Sequence, residues 1–232
     1  MKLHYFGHSA FSLNDGTYTL VCDPFITENP WTKTDPQDIS CQFIYISHGH
    51  GDHYGDAERI AKANDAIIIG TAEIAGKAAS MGCKTHAMHI GGTVALPFGS
   101  LYLTLAFHGS GVPGGMASGA IIEMGGKRIY FAGDTALYSD MKLHSRFGTI
   151  DYALLPIGDN FTMGAHDAAL AASWIAPRHV IPIHYDTWPV IHANPKEFKT
   201  YTEETYHIPV TLVTPDSTVA VSYTHLTLPT IA

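Results

Sequence analysis

Residues 44–56 read Ile44-Tyr45-Ile46-Ser47-His48-Gly49-His50-Gly51-Asp52-His53-Tyr54-Gly55-Asp56. The apolar, aromatic run Phe43–Ser47 suits a buried strand, and it stops where three imidazoles and a carboxylate fall within six residues. In an extended segment, positions 48, 50 and 52 project to one side. Gly49 and Gly51 leave out the intervening side chains, so the backbone can fold closely around an ion. His48 and His50 are therefore expected on one cation, with Asp52 and His53 turning onto a second. Imidazole and carboxylate donors together suit Zn²⁺, Mn²⁺ or Fe²⁺. An ordinary surface loop accounts for one such histidine, but not for three beside an Asp and two glycines at a strand end.

Three later segments repeat the device of a strand running into a polar residue. Leu101–Phe107 leads to His108, Arg128–Ala132 to Gly133-Asp134-Thr135, and Val180–Ile183 to His184. Strand ends are where rigid scaffolds present functional groups. The inventory becomes five His and two Asp: His48, His50 and His108 on one ion, Asp52, His53 and His184 on the other, Asp134 bridging. Two divalent cations against two carboxylates leave a formal +2, or +1 with a bridging hydroxide. Such a centre attracts an anionic group, a phosphate or a carboxylate, on a small-molecule substrate.

Around these sites the chain alternates between short strands and helices. Strands are expected at Leu3–Phe6, Phe11–Leu13, Thr17–Cys22, Ala66–Ile69, Thr93–Ala95, Gly119–Met124, Tyr152–Pro156, His179–Ile183 and Val210–Val213. Asn14-Asp15-Gly16 and Gly125-Gly126 supply hairpin turns. Helical spacing covers Asp56–Ala63, Thr71–Met81, His166–Ala176 and Pro195–Thr205. Strand clusters followed by helices, twice over, describe two sheets packed face to face with helices outside.

The 232 residues are 46% hydrophobic and 15% charged, which suits one globular domain over residues 1–221. A net charge of −8 with 13 Lys+Arg lacks the basic footprint of a nucleic-acid binder. Cys22, Cys41 and Cys83 show no framework spacing and read as reduced thiols. The chain opens on a strand pattern without a signal-type apolar region, and no run approaches the ~20 apolar residues of a membrane span. The expected location is cytoplasmic, without membrane contact, and a homo-oligomer is left open. The end, Ser222-Tyr223-Thr224-His225-Leu226-Thr227-Leu228-Pro229-Thr230-Ile231, resembles translated adapter sequence; residues 222–232 are read as a non-native tail.

The stretches MKLHYFGHSAFSL, DPFITENP, SHGHGDHYGD, YFAGDT, LLPIGDNFTMG and VIPIHYDTWPVI, in that order, resemble the metallo-β-lactamase superfamily. The likeness is to its small stand-alone hydrolases related to L-ascorbate-6-phosphate lactonase, and it covers residues 1 to about 220. It implies an α+β fold, a four-layer αββα sandwich with the site at one edge between the sheets. It also implies the ligand set above, two Zn or Mn ions per chain, and hydrolysis of a sugar-phosphate lactone type of substrate. In that reading a hydroxide held by both ions attacks a carbonyl or phosphorus centre, and Asp52 orients it and shuttles its proton. A phosphodiesterase and a non-catalytic metal-binding module are the alternatives. Ala165-His166 departs from the Pro-Glu that relatives commonly carry there.

Six further residues are candidates for contacts behind the ligands or with substrate. His8 and Asp23 lie at strand ends, where Asp23 could bond a ligand imidazole and His8 could touch substrate. Asn160 and Met163 belong to a segment that could lend backbone N–H groups to an anion at a helix start. Tyr185 and Trp188 follow His184 and could line the pocket.

Overall fold

Strands β1 (Lys2–Gly7), β2 (Ala10–Asn14) and β3 (Thr19–Cys22) form an antiparallel meander. From β3 the sheet continues in parallel through β4 (Phe43–Tyr45), β5 (Ile67–Thr71) and β6 (Lys84–Met88). A second sheet starts with the antiparallel strands β7 (Thr93–Leu96), β8 (Gly99–Leu105), β9 (Ser118–Met124) and β10 (Lys127–Phe131). It ends with β11 (Tyr152–Pro156) and β12 (His179–Ile183), both parallel to β10. Strand β13 (Ser217–Ala220) returns to pair antiparallel with β1, so the first sheet has seven strands and the second six. The computed structural model describes residues 1–221; the adapter-like tail, with His225, lies outside the described residues.

The layers follow from which face each side chain buries. In β4, Phe43 and Tyr45 point into the core between the sheets, while Ile44 joins the cluster under α2 (Ala57–Asn64) and α3 (Ala72–Ser80). In β10, Ile129 and Phe131 face the first sheet. Tyr130 turns the other way, to the cluster under α4 (Ala165–Ile175) and α5 (Pro195–Tyr206). Leu154 and Ala153 of β11 divide in the same manner. Alternate residues of one strand thus enter two different cores, which is why these strands read as unbroken apolar runs. Helices therefore cover both outer faces, giving the four-layer αββα sandwich that the resemblance implies. Phe131 locks the layers by meeting Phe11 at 5.0 Å and Tyr45 at 6.2 Å, edge to face.

Two expectations fail at local positions. Val210–Val213 is not a strand: flanked by Pro209 and Pro215, it makes only an isolated parallel bridge from Val210 to Val180. The loop after β4 is not extended throughout either. His50 is, but Gly51–Tyr54 close a helical turn, α1, in which the Tyr54 N–H reaches the His50 carbonyl at 2.8 Å. Gly55 ends that turn at φ 40°, where a Cβ would stand 2.4 Å from the Pro24 carbonyl oxygen. Among the described residues no helix is long and apolar enough to cross a membrane.

The sheet edge at the C-terminal ends of β1, β3, β4, β8, β10 and β12 gathers all the singled-out residues from His8 to His184 that sequence places after strands. In open parallel sheets that edge is the usual ligand crevice.

Candidate metal centre

Each polar side chain arrives on a strand end whose apolar residues are locked in the cores. Three of them leave the strand with left-handed backbone: His8 at φ 57°, Asp23 at φ 42° and His184 at φ 53°. Non-glycine residues in this region cost of order 1 kcal/mol or more and are held there by surrounding structure, a pattern that concentrates at functional sites. Here the turn redirects each side chain from the strand line into the crevice.

Two clusters form. His48, His50 and His108 offer ring nitrogens, one each, all within 4.8 Å of one another. His8, Asp52, His53 and His184 form the second cluster under the same limit. Asp134 stands between them: its Oδ2 lies 3.6 Å from His108 Nε2 and 3.0 Å from His184 Nε2, and its Oδ1 is 3.3 Å from His53 Nε2. Asp52 Oδ2 is 3.6 Å from His53 Nε2 and 3.8 Å from His184 Nε2. Two ligands bound at about 2.0–2.1 Å to one tetrahedral cation stand roughly 3.3–3.4 Å apart, the spacing seen here.

The hydrogen-bond network leaves several inward atoms without a partner. His53 Nδ1 donates to Asp23 Oδ2 at 2.6 Å, because an ionised carboxylate can only accept. In the neutral ring its Nε2 then carries the lone pair, and that atom is buried without a hydrogen-bond partner among the described residues. Asp23 also accepts the Ser47 N–H at 2.7 Å and the Ser47 hydroxyl. Having donated to Asp23, Ser47 Oγ accepts from His48 Nδ1 at 3.0 Å, which leaves the lone pair on His48 Nε2, where His50 Nδ1 meets it at 2.9 Å. Asp134 Oδ1 and both ring nitrogens of His184 are likewise buried without partners. Buried polar atoms are otherwise nearly always paired, so this concentration calls for a ligand. The donors fit divalent cations bound by N and O atoms.

Titration behaviour follows the same crowding. Burial lowers His53 and His184, but the carboxylate of Asp134 outweighs it: His184 is pushed up to about 9 and His53 is held well above its ordinary value. Burial raises Asp134, but His53 and His184 hold it well below the usual carboxylate range. His8 is pushed down to about 4, by burial first, against the opposing bond to Asp52. Burial also holds His48 well below its ordinary value.

The remaining candidates divide. His8 is 1% exposed, so it touches Asp52 and not a solvent-borne substrate. The 160–164 segment does not offer an anion site: the N–H groups of Asn160, Phe161 and Thr162 are taken up by Asp159, and that of Met163 by the Thr135 carbonyl. Met163 itself packs in the core beneath α4. Tyr185 packs against the same core, and His166 stands edge-on to Tyr201, 4.5 Å away. Trp188 is 38% exposed, 5.0 Å from His8 and 6.1 Å from Phe25. It lines an open cleft of about 580 Å³ with Trp31, Asp186 and Thr187. A second cleft, about 490 Å³, runs beside Gly49 and Gly51 and carries Arg59 and Lys77. Sequence reasoning passed over Ser47 and Thr187, which act through partners distant in the chain.

Residues 2–184 match the family model described as the Beta-lactamase superfamily domain. A metal-dependent hydrolase of Natranaerobius thermophilus is 50% identical over 199 residues, covering 86% of this chain and 90% of the relative. Another from Bacillus velezensis is 46% identical over 207 residues, covering 85% and 91%. Among solved structures, a metallo hydrolase from the hyperthermophilic archaeon Ignicoccus hospitalis superimposes with a TM-score of 0.88 at 36% identity, covering 94% of this chain and 97% of that one.

Proposed function

Since the chain belongs to the metallo-β-lactamase superfamily, as a metal-dependent hydrolase, we propose that its crevice holds two divalent cations, Zn or Mn, and hydrolyses a small anionic ester or lactone of the sugar-phosphate lactone type. The observation carrying this reading is the set of buried, partnerless atoms on His53, Asp134 and His184 at ligand-to-ligand spacing. His48, His50 and His108 would hold one ion, Asp52, His53 and His184 the other, with Asp134 between. Bound cations supply Lewis acidity toward a carbonyl or phosphoryl oxygen and acidify water at the centre.

The chain's own groups account for the rest. Asp23 and Ser47 keep the lone pairs of the neutral His53 and His48 rings on Nε2. Asp52 is the reachable carboxylate, its side chain 24% exposed against 3% for Asp134. Burial raises its carboxyl, but the neighbouring imidazoles of His184 and His8 hold it far below the usual range, so it stays ionised and orients attacking water as an acceptor. Asp23 adds a third carboxylate to the count, leaving a formal +1 with two divalent ions, one unit less than the two-carboxylate count. Before a hydroxide binds, that excess favours an anionic group at the centre, while in the adjoining cleft Arg59 and Lys77 are matched by Glu28 and Asp56.

The test is a hydrolysis screen of lactones, phosphodiesters and thioesters with stripped protein refilled separately with Zn²⁺ and Mn²⁺. Metal-dependent turnover of an anionic lactone or ester is expected. Undiminished turnover by stripped protein, or none with two ions bound, would overturn the proposal.

A further inference from the structure

His8 lies within ligand distance of Asp52, His53 and His184, yet its hydrogen bonds set it apart from them. Its Nε2 is 3.0 Å from Asp52 Oδ2 and its Nδ1 is 2.7 Å from Thr187 Oγ1. A carboxylate oxygen only accepts, so His8 Nε2 bears a hydrogen whatever the charge on the ring. A nitrogen that carries a hydrogen has no lone pair to give a cation. With Nε2 protonated, the neutral ring has its lone pair on Nδ1, and the Thr187 hydroxyl donates to it. The bonds therefore run one way, from Thr187 to His8 to Asp52.

The ring has little freedom to do otherwise. His8 and Thr187 are 1% and 8% exposed. The His8 carbonyl accepts the His184 N–H at 2.7 Å and the Tyr5 hydroxyl at 2.9 Å, which ties its left-handed turn to the strand end bearing His184. The ring is flanked by His184 at 4.2 Å and Trp188 at 5.0 Å. Asp52 Oδ2 is also the oxygen facing His53 and His184, so one of its lone pairs meets His8 and another is left to face the centre.

We propose that Thr187 and His8 form a positioning pair that aims the Asp52 carboxylate at the second cation, with His8 outside the ligand set. This rests on the two-cation reading. Thr187 anchors the His8 ring through Nδ1, and His8 in turn fixes the direction of the Oδ2 lone pair. Losing a group of this kind typically weakens metal affinity 10–100-fold.

Thr187→Val keeps the shape and removes the hydroxyl, whereas Thr187→Ser keeps the hydroxyl. Dissociation constants for Zn²⁺ are measured by competition with a chromophoric chelator, and coordination is followed from the visible spectrum of the Co²⁺-loaded protein. In Thr187→Val one of two Zn²⁺ ions should weaken about 10–100-fold, while Thr187→Ser recovers wild-type affinity. The Co²⁺ spectrum of Thr187→Val should keep its ligand number. Unchanged affinities in Thr187→Val would overturn the pair, as would loss of a ligand from the Co²⁺ spectrum of His8→Gln, since Gln retains an N–H donor. Wild-type protein that binds a single ion would instead overturn the two-cation reading, and the Val-to-Ser comparison on that ion would still judge the pair.

Discussion

Replacing Asp23 by Asn should weaken metal binding although Asp23 is not counted among the ligands. The carboxylate is fully buried and accepts three hydrogen bonds, from the Ser47 N–H, the Ser47 hydroxyl and His53 Nδ1. An amide of the same shape has one acceptor oxygen and a donor NH₂. If the oxygen keeps the Ser47 N–H, the NH₂ faces His53 Nδ1 and favours the tautomer with hydrogen on Nε2, the atom turned toward Asp134. His48 is affected through Ser47, whose hydroxyl loses its carboxylate acceptor. Loss of such an orienting partner costs about 10–100-fold in metal affinity, or about 1.4–2.8 kcal/mol at 1.4 kcal/mol per tenfold. Chelator competition gives the affinities, with Asp35→Asn as control because the Asp35–Arg59 pair is exposed at 54% and 43%. Metal affinities in Asp23→Asn equal to those of the control would refute the reasoning.

Gly111 has φ +66°, and a Cβ there would lie 2.5 Å from the backbone of Gly49 and His50; Gly111→Ala should therefore displace His50, lowering the melting temperature and the affinity of the ion at His48, His50 and His108. Metal uptake should release protons: His184 and His53 are raised in the metal-free protein, so their stabilisation is complete below their ordinary value of about 6.5 and fades as pH rises through about 9 for His184. Calorimetry in buffers of different ionisation enthalpy should show that release near pH 7, with apparent affinity rising toward pH 9; buffer-independent heats would contradict it. Trp188→Ala removes an exposed aromatic wall and should raise KM about 2–10-fold, the equivalent of one aromatic contact, with metal content unchanged by elemental analysis.

Much of the centre could be read from the chain because the strands feeding it bury both faces. Phe43–Tyr45 and Tyr152–Pro156 admit no surface alternation, so polar residues at their ends stand out. Gly125 and Gly126, at φ 56° and 72°, mark their hairpin equally openly. The helical turn at Gly51–Tyr54 was hidden, being four residues long and opened by a poor helix former. Edge strand β6, Lys84–Met88, is polar and half exposed, so it lacks a buried pattern. Thr187 lies 179 positions from His8, and Ser47 resembles any serine beside a histidine. Their roles appear only when the two sheets bring the strand ends together. Met163 shows the converse, since a position next to a helix start says nothing about which way its side chain packs.

The central claim is that seven side chains from four strand ends enclose two cations. X-ray diffraction on protein loaded with Zn²⁺ or Mn²⁺, recorded at the absorption edge of the metal, locates the ions directly. Two anomalous peaks are expected, one among His48, His50 and His108 and one among Asp52, His53 and His184, each about 2.0–2.2 Å from its ligand atoms and both facing Asp134. A crevice free of anomalous density in protein grown with excess metal, or ions bound only elsewhere, would contradict the account.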